Sequence, residues 1–444
     1  MVLPRAPHGD ARPHARETGR VRGGDRIMRS LVFVLALCLA PLASLAETVE
    51  VRPGPGALVR ALATARPGDT LVLGEGTFAG PVSIKTPVTL TGPLARIEGP
   101  GEGSVITVDT GGVTITALTI SGAGARLSDL DSGIRLTKAA RGTIIDGVTL
   151  EGNLIGVDVH GARDVTIRNS RIEGRNDLRV AERGPGIYVW NAPGLTVEDN
   201  RISKGRDGVF ITTSNDAVYR RNRFSDLRFA FHSMYANRIE VTDNVSRGND
   251  MGFAFMYSTR LIVERNLSDG DADHGFFMNF ANRAEMRRNE VRDGGEKCLF
   301  IYNSNHNRIE GNRFEGCGIG VHFTAGSQGN VLAGNAFIGN RTQVKYVGTT
   351  WMEWSADGIG NYWSDHVAFD VNGDGIADSP YRPNDSIDRL VWSQPAARLL
   401  MGAPAMQLIR WSQSRFPGLL PGGVTDTHPL TSPTGTGLPQ GDPS

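Results

Sequence analysis

Cysteine is almost missing from this chain of 444 residues, which holds three, and the charges cancel, with 47 Lys+Arg against 47 Asp+Glu. Scarce cysteine excludes a disulfide-dense scaffold. A zero net charge gives no basis for bulk nucleic-acid binding. No long apolar run is present either. The most apolar stretch, Leu31 to Ala40, is too short to span a bilayer. It follows Met28-Arg29 and precedes Ser44-Leu45-Ala46, a small-x-small pattern before Glu47. That arrangement is a secretory signal, with residues 1–27 an upstream extension and Met28 the expected start. The mature protein is therefore expected in the periplasm of a Gram-negative source. If Cys38 leaves with the signal, Cys298 and Cys317 remain, 19 residues apart. Two buried thiols are the favoured reading and a disulfide the alternative.

The chain instead has a repeat. Asn recurs at Asn200, Asn222, Asn244, Asn266, Asn289, Asn312 and Asn335, in steps of 22 and then 23, and Asn169 lies 31 residues ahead of the first. A period near 22 with β-branched or aromatic runs between Asn/Gly turns is the pattern of a stacked solenoid. Asn suits such turns by bonding local backbone groups and tolerating left-handed geometry, and stacked Asn side chains can form a ladder. The expected fold is all-β, a parallel β-helix of about ten coils of 22–23 residues over 47–349. A helix at Ala57–Ala65 would cover the first coil. A C-terminal extension follows over 350–430, and a Thr/Pro/Gly-rich tail, 431–444, is expected to be disordered.

Each coil carries a Gly-φ-x-φ-x unit whose φ residues, such as Val209/Ile211 and Phe276/Met278, should face inward, because strand side chains alternate. The residues between them face out. They read Arg135, Asp158, Tyr188, Phe210, His232, Ala254, Phe277, Phe300 and His322, and the next outward column holds His160, Trp190, Thr212, Met234, Met256, Asn279, Tyr302 and Thr324. A soluble surface would put Lys, Glu and Thr here. An aromatic, Met and His strip marks a binding surface unless another segment covers it. Tyr188, Trp190, Phe210, Phe277, Phe300, Tyr302 and His322 are its candidate partner-binding residues. Within the strip, His232 and Met234 lie about 7 Å apart along one strand, and Met256 about 4.8 Å above Met234. Imidazole plus thioether suits Cu(I) and not Mg or Ca, so these three form a candidate copper site, with Met251, His274 and His322 as more distant candidates. Met as an adaptable contact residue is the plainer explanation.

In the extension, Asp370, Asn372, Asp374 and Asp378 alternate with Gly375 and Ile376 as in the first nine positions of a calcium loop. Tyr381 stands where the closing Glu would be, so Asp365 or Asp385 would have to complete the shell. A metal-free Asx-turn hairpin is the alternative. Residues 395–413 read as two short helices broken at Pro404, expected to cap the last coil.

The segments ALATARPGDTLVLGEGTF, GRDGVFITTSNDAVYRRNRF, FAFHSMYAN, MGFAFMYS, GIGNYWSD and DVNGDGIADSPY together resemble the NosD family, periplasmic maturation proteins of nitrous-oxide reductase, across residues 47–430. The resemblance implies a right-handed, non-enzymatic parallel β-helix that works with the membrane subunit of an ABC transporter. It also implies contacts with a copper-chaperone lipoprotein and with the reductase, whose copper–sulfur centre is being assembled. The rival reading is an enzyme on acidic polysaccharide, using Asp271, Asp273 and His274 with Arg206 and Asp207. Asp is however expected in such a turn. A third reading, a structural adhesin, would need a polar outer face throughout.

Overall fold

A computed structural model of the chain describes residues 46–436, except 325, 385, 401–402, 417–421 and 434. The expected signal sequence lies outside the described residues, save for Ala46. Three parallel sheets run the length of the solenoid. The first has 13 strands, from Thr48–Val51 to Val331–Ala333; the second has 13, from Gly76–Ala79 to Tyr362–Trp363; the third has 12, from Val82–Ile84 to Val344–Val347. One coil contributes one strand to each, as in Ala217–Arg220, Arg223–Ser225 and Phe229–Met234. The sheets exceed the ten coils expected because the opening segment, which looked irregular, is already in register: Val82 pairs with Ile106 and Ile84 with Val108.

The corner between the first and second sheets is held by the Asn series. Asn222 accepts from the backbone N–H of Asn200 at 3.1 Å and from its Nδ2 at 3.0 Å. It then donates to Val197 O at 2.9 Å. Asn244, Asn266, Asn289, Asn312 and Asn335 repeat the pattern, and Asn361 extends it. Asn169 is not a member. It has φ 53, the left-handed corner position that Arg221 and Asp243 fill in later coils. The ladder position in that coil belongs to Ser170, whose N–H donates to Asn200 at 3.0 Å. These amides are fully buried, so each must find partners or pay desolvation.

Inward residues fall where alternation places them. Val209, Ile211, Phe231, Phe253, Phe276, Leu299 and Val321 are buried, and Ser233, the polar exception, donates to Ala254 O at 3.4 Å. One feature alternation does not give is a second inward residue before each pair. A Cβ on Gly208 would sit 2.5 Å from the Phe224 ring and 2.4 Å from Ala230 O. The strand bends there, and the residue before the glycine turns outward. Cys298 occupies this small-residue column and is disulfide-bonded to Cys317 with Cα atoms 5.6 Å apart. The favoured reading of two thiols is thus corrected: the 19-residue separation lets the chain return to its own corner within bonding reach.

The N-terminal end is covered as expected, with Leu58 of the helix Ala57–Thr64 buried in the core. The C-terminal end is not closed by the helices. Trp363 stacks on Phe337 at 4.4 Å, Tyr381 on Trp363 at 4.5 Å, and Trp354 meets Phe323 at 5.5 Å. Buried Asp426 accepts from Trp363 Nε1 at 2.8 Å and Asn361 N at 2.7 Å. Helices Ser386–Ser393 and Pro404–Arg415 pack on each other through Ile387, Val391 and Met406. They leave Leu390, Leu408, Ile409 and Trp411 exposed rather than setting them on the coil end. The tail departs from expectation too: Thr436 is buried and donates to Glu290 at 3.2 Å.

Removing one ladder amide should cost far more than removing a corner amide outside it. Asn266→Ala strands the groups bonded to it and is expected to lose roughly 2–4 kcal/mol. Asn169→Gly suits a left-handed residue and should change stability by less than about 0.5 kcal/mol. Urea midpoints of the two variants check this.

Candidate functional site: a Met/His cradle on the third sheet

Cα pairing fixes the outward column of the third sheet as Arg135, Asp158, Tyr188, Phe210, His232, Ala254, Phe277, Phe300 and His322. A second column, Thr212, Met234, Met256, Asn279 and Tyr302, runs on one side. The bend at the small-residue column adds a third on the other side: Asp207, Phe229, Met251, His274 and Lys297.

Ala254 is the one small side chain in the middle of its column, and the residues around it are the soft donors. Phe229, His232 and Met234 lie on the strand before it, Met251 and Met256 flank it, and His274, Phe277 and Asn279 lie on the strand after it. Adjacent strands are about 4.8 Å apart. Although it points away from the core, Ala254 is fully buried, so its larger neighbours lean over it. We refer to this arrangement as the cradle.

His232 is buried between Phe229, 4.5 Å away, and Phe210, 4.8 Å away. Its Nδ1 lies 3.7 Å from Asp207 Oδ2, too long for a hydrogen bond, and neither ring nitrogen has a hydrogen-bond partner. Asp207 is itself buried, 3.3 Å from Arg206 Nε and 3.0 Å from an Arg228 NH2. Burial alone would push its carboxyl up, but His232, Arg206 and Arg228 outweigh that and hold it below the usual carboxylate value. His274 has a parallel arrangement: Asp273 Oδ1 is 2.6 Å from its Nδ1. Burial, then Lys297, keep this imidazole easier to deprotonate than a free histidine. Each cradle histidine thus has a carboxylate near its Nδ1, but neither Nδ1 makes a well-formed hydrogen bond to it. Neutral imidazole and thioether are soft ligands suited to Cu(I).

Met234 and Met256 are neighbours, as the spacing requires. The ring contacts of His232 lie toward Phe229 and Asp207, at the start of the strand, rather than along it. Met251 and His274, which the spacing placed further off, are paired with each other at the cradle edge. His322 is four strands beyond His232 and stacks on Phe300 at 4.6 Å, so it is outside the cradle. Phe210, Phe277, Phe300 and Tyr188 are half-buried, since the rings cover one another: Phe277 meets Phe300 at 5.0 Å and Tyr188 meets Phe210 at 5.8 Å. The strip is therefore less exposed than alternation implied.

The exposed aromatics include Trp190 and Tyr302 and three that the columns above did not contain: Tyr235, Tyr257 and Phe280. They stack at 5.1 Å and 5.0 Å. Their φ values of 53, 50 and 51 turn the chain left-handed just after Met234, Met256 and Asn279, which swings the rings outward. This conformation is disfavoured for bulky side chains. An aromatic recurring directly after the Met column was the available signal.

Of the proposed acid/base cluster, Asp273 and His274 come together, joined by Glu296 with all three sets of donor atoms within 4.8 Å, but Asp271 does not join them. Asp271 is buried in a corner, accepting from Ser246, Ser268 and Asn249 N. In the extension, the carboxylate of Asp370 accepts from Gly373 N, Asp374 N and Gly375 N, Asp374 from Ile376 N, and Asp378 from Val371 N. Asn372 bonds Asp374, and Asp365 is engaged by the Tyr381 hydroxyl at 2.9 Å. These bonds are Asx turns within the loop. Asp385 lies outside the described residues.

A profile of the family described as "Periplasmic copper-binding protein (NosD)" matches residues 172–368. The "Probable ABC transporter binding protein NosD" of Pseudomonas aeruginosa is 41% identical over 411 residues, 89% of this chain and 94% of that protein. The protein of the same name from Stutzerimonas stutzeri is 39% identical over 373 residues, 81% and 86% of the two chains. The chain belongs to the NosD family. Among solved structures, the mannuronan C-5 epimerase AlgE6 A-module of Azotobacter vinelandii aligns with TM-score 0.51 at 18% identity, covering 66% of this chain and 90% of that one. A family 28 exopolygalacturonase of Yersinia enterocolitica aligns at 0.50 and 11%, covering 68% and 76%. At these identities they show the fold alone. Among the described residues no helix is long and apolar enough to cross a membrane.

Burial, then Lys345, push the His322 imidazole down to about 4. The fold refuses protons that the unfolded chain takes up near pH 6.5, so this residue's contribution is complete above that pH and lost as pH falls toward 4. His322→Phe, which continues the ring stack, should flatten the fall in melting temperature between pH 6.5 and 4. Thermal melts of both proteins across that window check it.

Proposed function

We propose that this chain is a periplasmic, non-enzymatic accessory protein that holds Cu(I) transiently in the cradle around Ala254. In this reading it serves assembly of the copper–sulfur centre of nitrous-oxide reductase. The observation that carries this is the ring of thioether and imidazole donors around a single small residue, with both nitrogens of buried His232 unbonded. Copper here is cargo. Donors that are soft, few and partly accessible favour a site that fills and empties over a closed structural one.

The relatives named as ABC transporter binding proteins support a transporter as one partner. A copper-chaperone lipoprotein and the reductase are the other expected partners. The Tyr235–Tyr257–Phe280 stack, with Tyr302 beside it, borders the Met column and is the docking surface this reading assigns. Exposed aromatic anchors are what protein interfaces use. Burial of Asp271 in hydrogen bonds supports the non-enzymatic reading over polysaccharide cleavage.

Anaerobic Cu(I) titration of residues 47–444 against a competing chelator tests this. The chain should take up about one equivalent. Both Met234→Ala/Met256→Ala and Ala254→Phe should weaken uptake at least about tenfold, roughly 1.4 kcal/mol. Ala254→Phe fills the cradle while continuing a column that already holds Phe210, Phe277 and Phe300, so the fold should survive. Unchanged binding by Ala254→Phe would sink the cradle.

A further inference from the structure

Where two strands of the third sheet begin, a second cluster of donors differs in chemistry from the cradle. Asp273 and Glu296 lie in the turns that lead into His274–Asn279 and Lys297–Tyr302, one coil apart. Gly295 brings those turns together. A Cβ there would sit 1.7 Å from Ala272 O, so a side chain at this position would hold the turns apart. Glu296 N then donates to Asp273 O at 3.0 Å. The carboxylates of Asp273 and Glu296 and the imidazole of His274 come within 4.8 Å of one another.

Three features of this cluster favour a bound cation. Two carboxylates so close repel each other unless positive charge lies with them. His274 is only 7% exposed, and its Nδ1, although 2.6 Å from Asp273 Oδ1, makes no hydrogen bond. An unbonded buried nitrogen is costly. The carboxylates themselves are accessible, with 37% of the Asp273 side chain and 58% of the Glu296 side chain exposed. An ion can therefore enter from solvent and meet the imidazole at the floor. Lys297 supplies part of the charge, its Nζ 2.7 Å from Glu296 Oε1 and over the Phe300 ring at 5.4 Å. One ammonium against two carboxylates leaves a negative balance, and Lys297 does not bond His274 Nδ1.

One imidazole and two carboxylates match a borderline divalent ion. Zn(II) takes nitrogen and oxygen donors at about 2.0–2.2 Å and completes a tetrahedral shell with water. Donors around such an ion stand about 3.3 Å apart, a spacing that the accessible Asp273 and Glu296 side chains reach by rotation. Mg and Ca prefer shells made of oxygen alone, and Cu(I) prefers the thioethers of the cradle. We propose that Asp273, His274 and Glu296 bind a divalent ion of the zinc class, which clips two successive coils at the edge of the third sheet. The site shares His274 with the cradle but neither Ala254 nor the methionines, and it does not rest on the copper reading. Lys297 is its internal competitor, because the ammonium and the ion meet the same carboxylate.

Calorimetric titration of chelator-treated residues 47–444 with zinc chloride tests this. About one equivalent should bind with a Kd of about 50 μM or tighter. Zn(II) should also raise the melting temperature, while Mg and Ca should do neither. Asp273→Asn and Glu296→Gln should each weaken binding at least about tenfold. Lys297→Leu should strengthen it at least about threefold by removing the competing ammonium. Ala254→Phe and Met234→Ala/Met256→Ala should bind Zn(II) as the parent does, and Glu296→Gln should take up Cu(I) as the parent does, so the two sites can fail separately. Thermal melts without metal confirm that the variants fold. If Zn(II) binds more weakly than about 50 μM, or if binding survives both carboxylate substitutions, the proposal is wrong and Lys297 alone balances the pair. Unchanged affinity in Lys297→Leu would overturn the competition that the geometry requires.

Discussion

Stacking of coils rests on one repeated constraint: a buried amide at the same corner of each turn, bonded to the amide of the next. An Asn there accepts from the backbone and side chain of the previous coil and donates to a backbone carbonyl. Slipping by one residue would strand every one of these groups in an apolar interior and reverse which side chains face inward. The ladder therefore fixes register along the axis. Register in turn decides which residues share a column. The change of step from 22 to 23 residues is absorbed outside the ladder, since Asn266 still bonds Asn289 and Asn289 still bonds Asn312.

From register follows the functional face. A β-helix has no interior cavity to offer, because side chains fill it, so chemistry has to be built on a flank from residues contributed by successive turns. The third sheet does this by substitution within columns. Where most of the central column is aromatic, one Ala makes room, and the Met and His of neighbouring columns surround it. Carboxylates at Asp207 and Asp273 stand near the two imidazoles, and the donors sit on the rigid strands of the third sheet rather than on loops.

The ends are closed by different means. A short helix covers the first coil, whereas stacked Trp354, Trp363 and Tyr381 with buried Asp426 cover the last. Both protect strand edges that would otherwise pair with other chains. The pair Ser386–Ser393 and Pro404–Arg415 is thereby released from capping, and Leu408 on the second helix and Leu399 and Leu400 in the turn between them are exposed.

Period and alternation within the chain determined the fold class, the inward pairs and the central outward column, because hydrogen-bonded stacking enforces both rules along the whole solenoid. The Asn corner was legible except at its start, where a longer coil hid that Ser170, not Asn169, holds the place. Neighbour relations between coils were only partly legible. Met234 beside Met256 followed from the period. His274 joined the cradle through a bend at a small-residue column that a strict two-residue alternation does not contain. The Tyr235–Tyr257–Phe280 stack was hidden for a related reason, since left-handed backbone turns outward a residue that alternation would bury. The Cys298–Cys317 bond was decided by tertiary placement. Spacing along the chain says how far apart such groups are in sequence, while only the folded corner or hairpin says which partner each one meets.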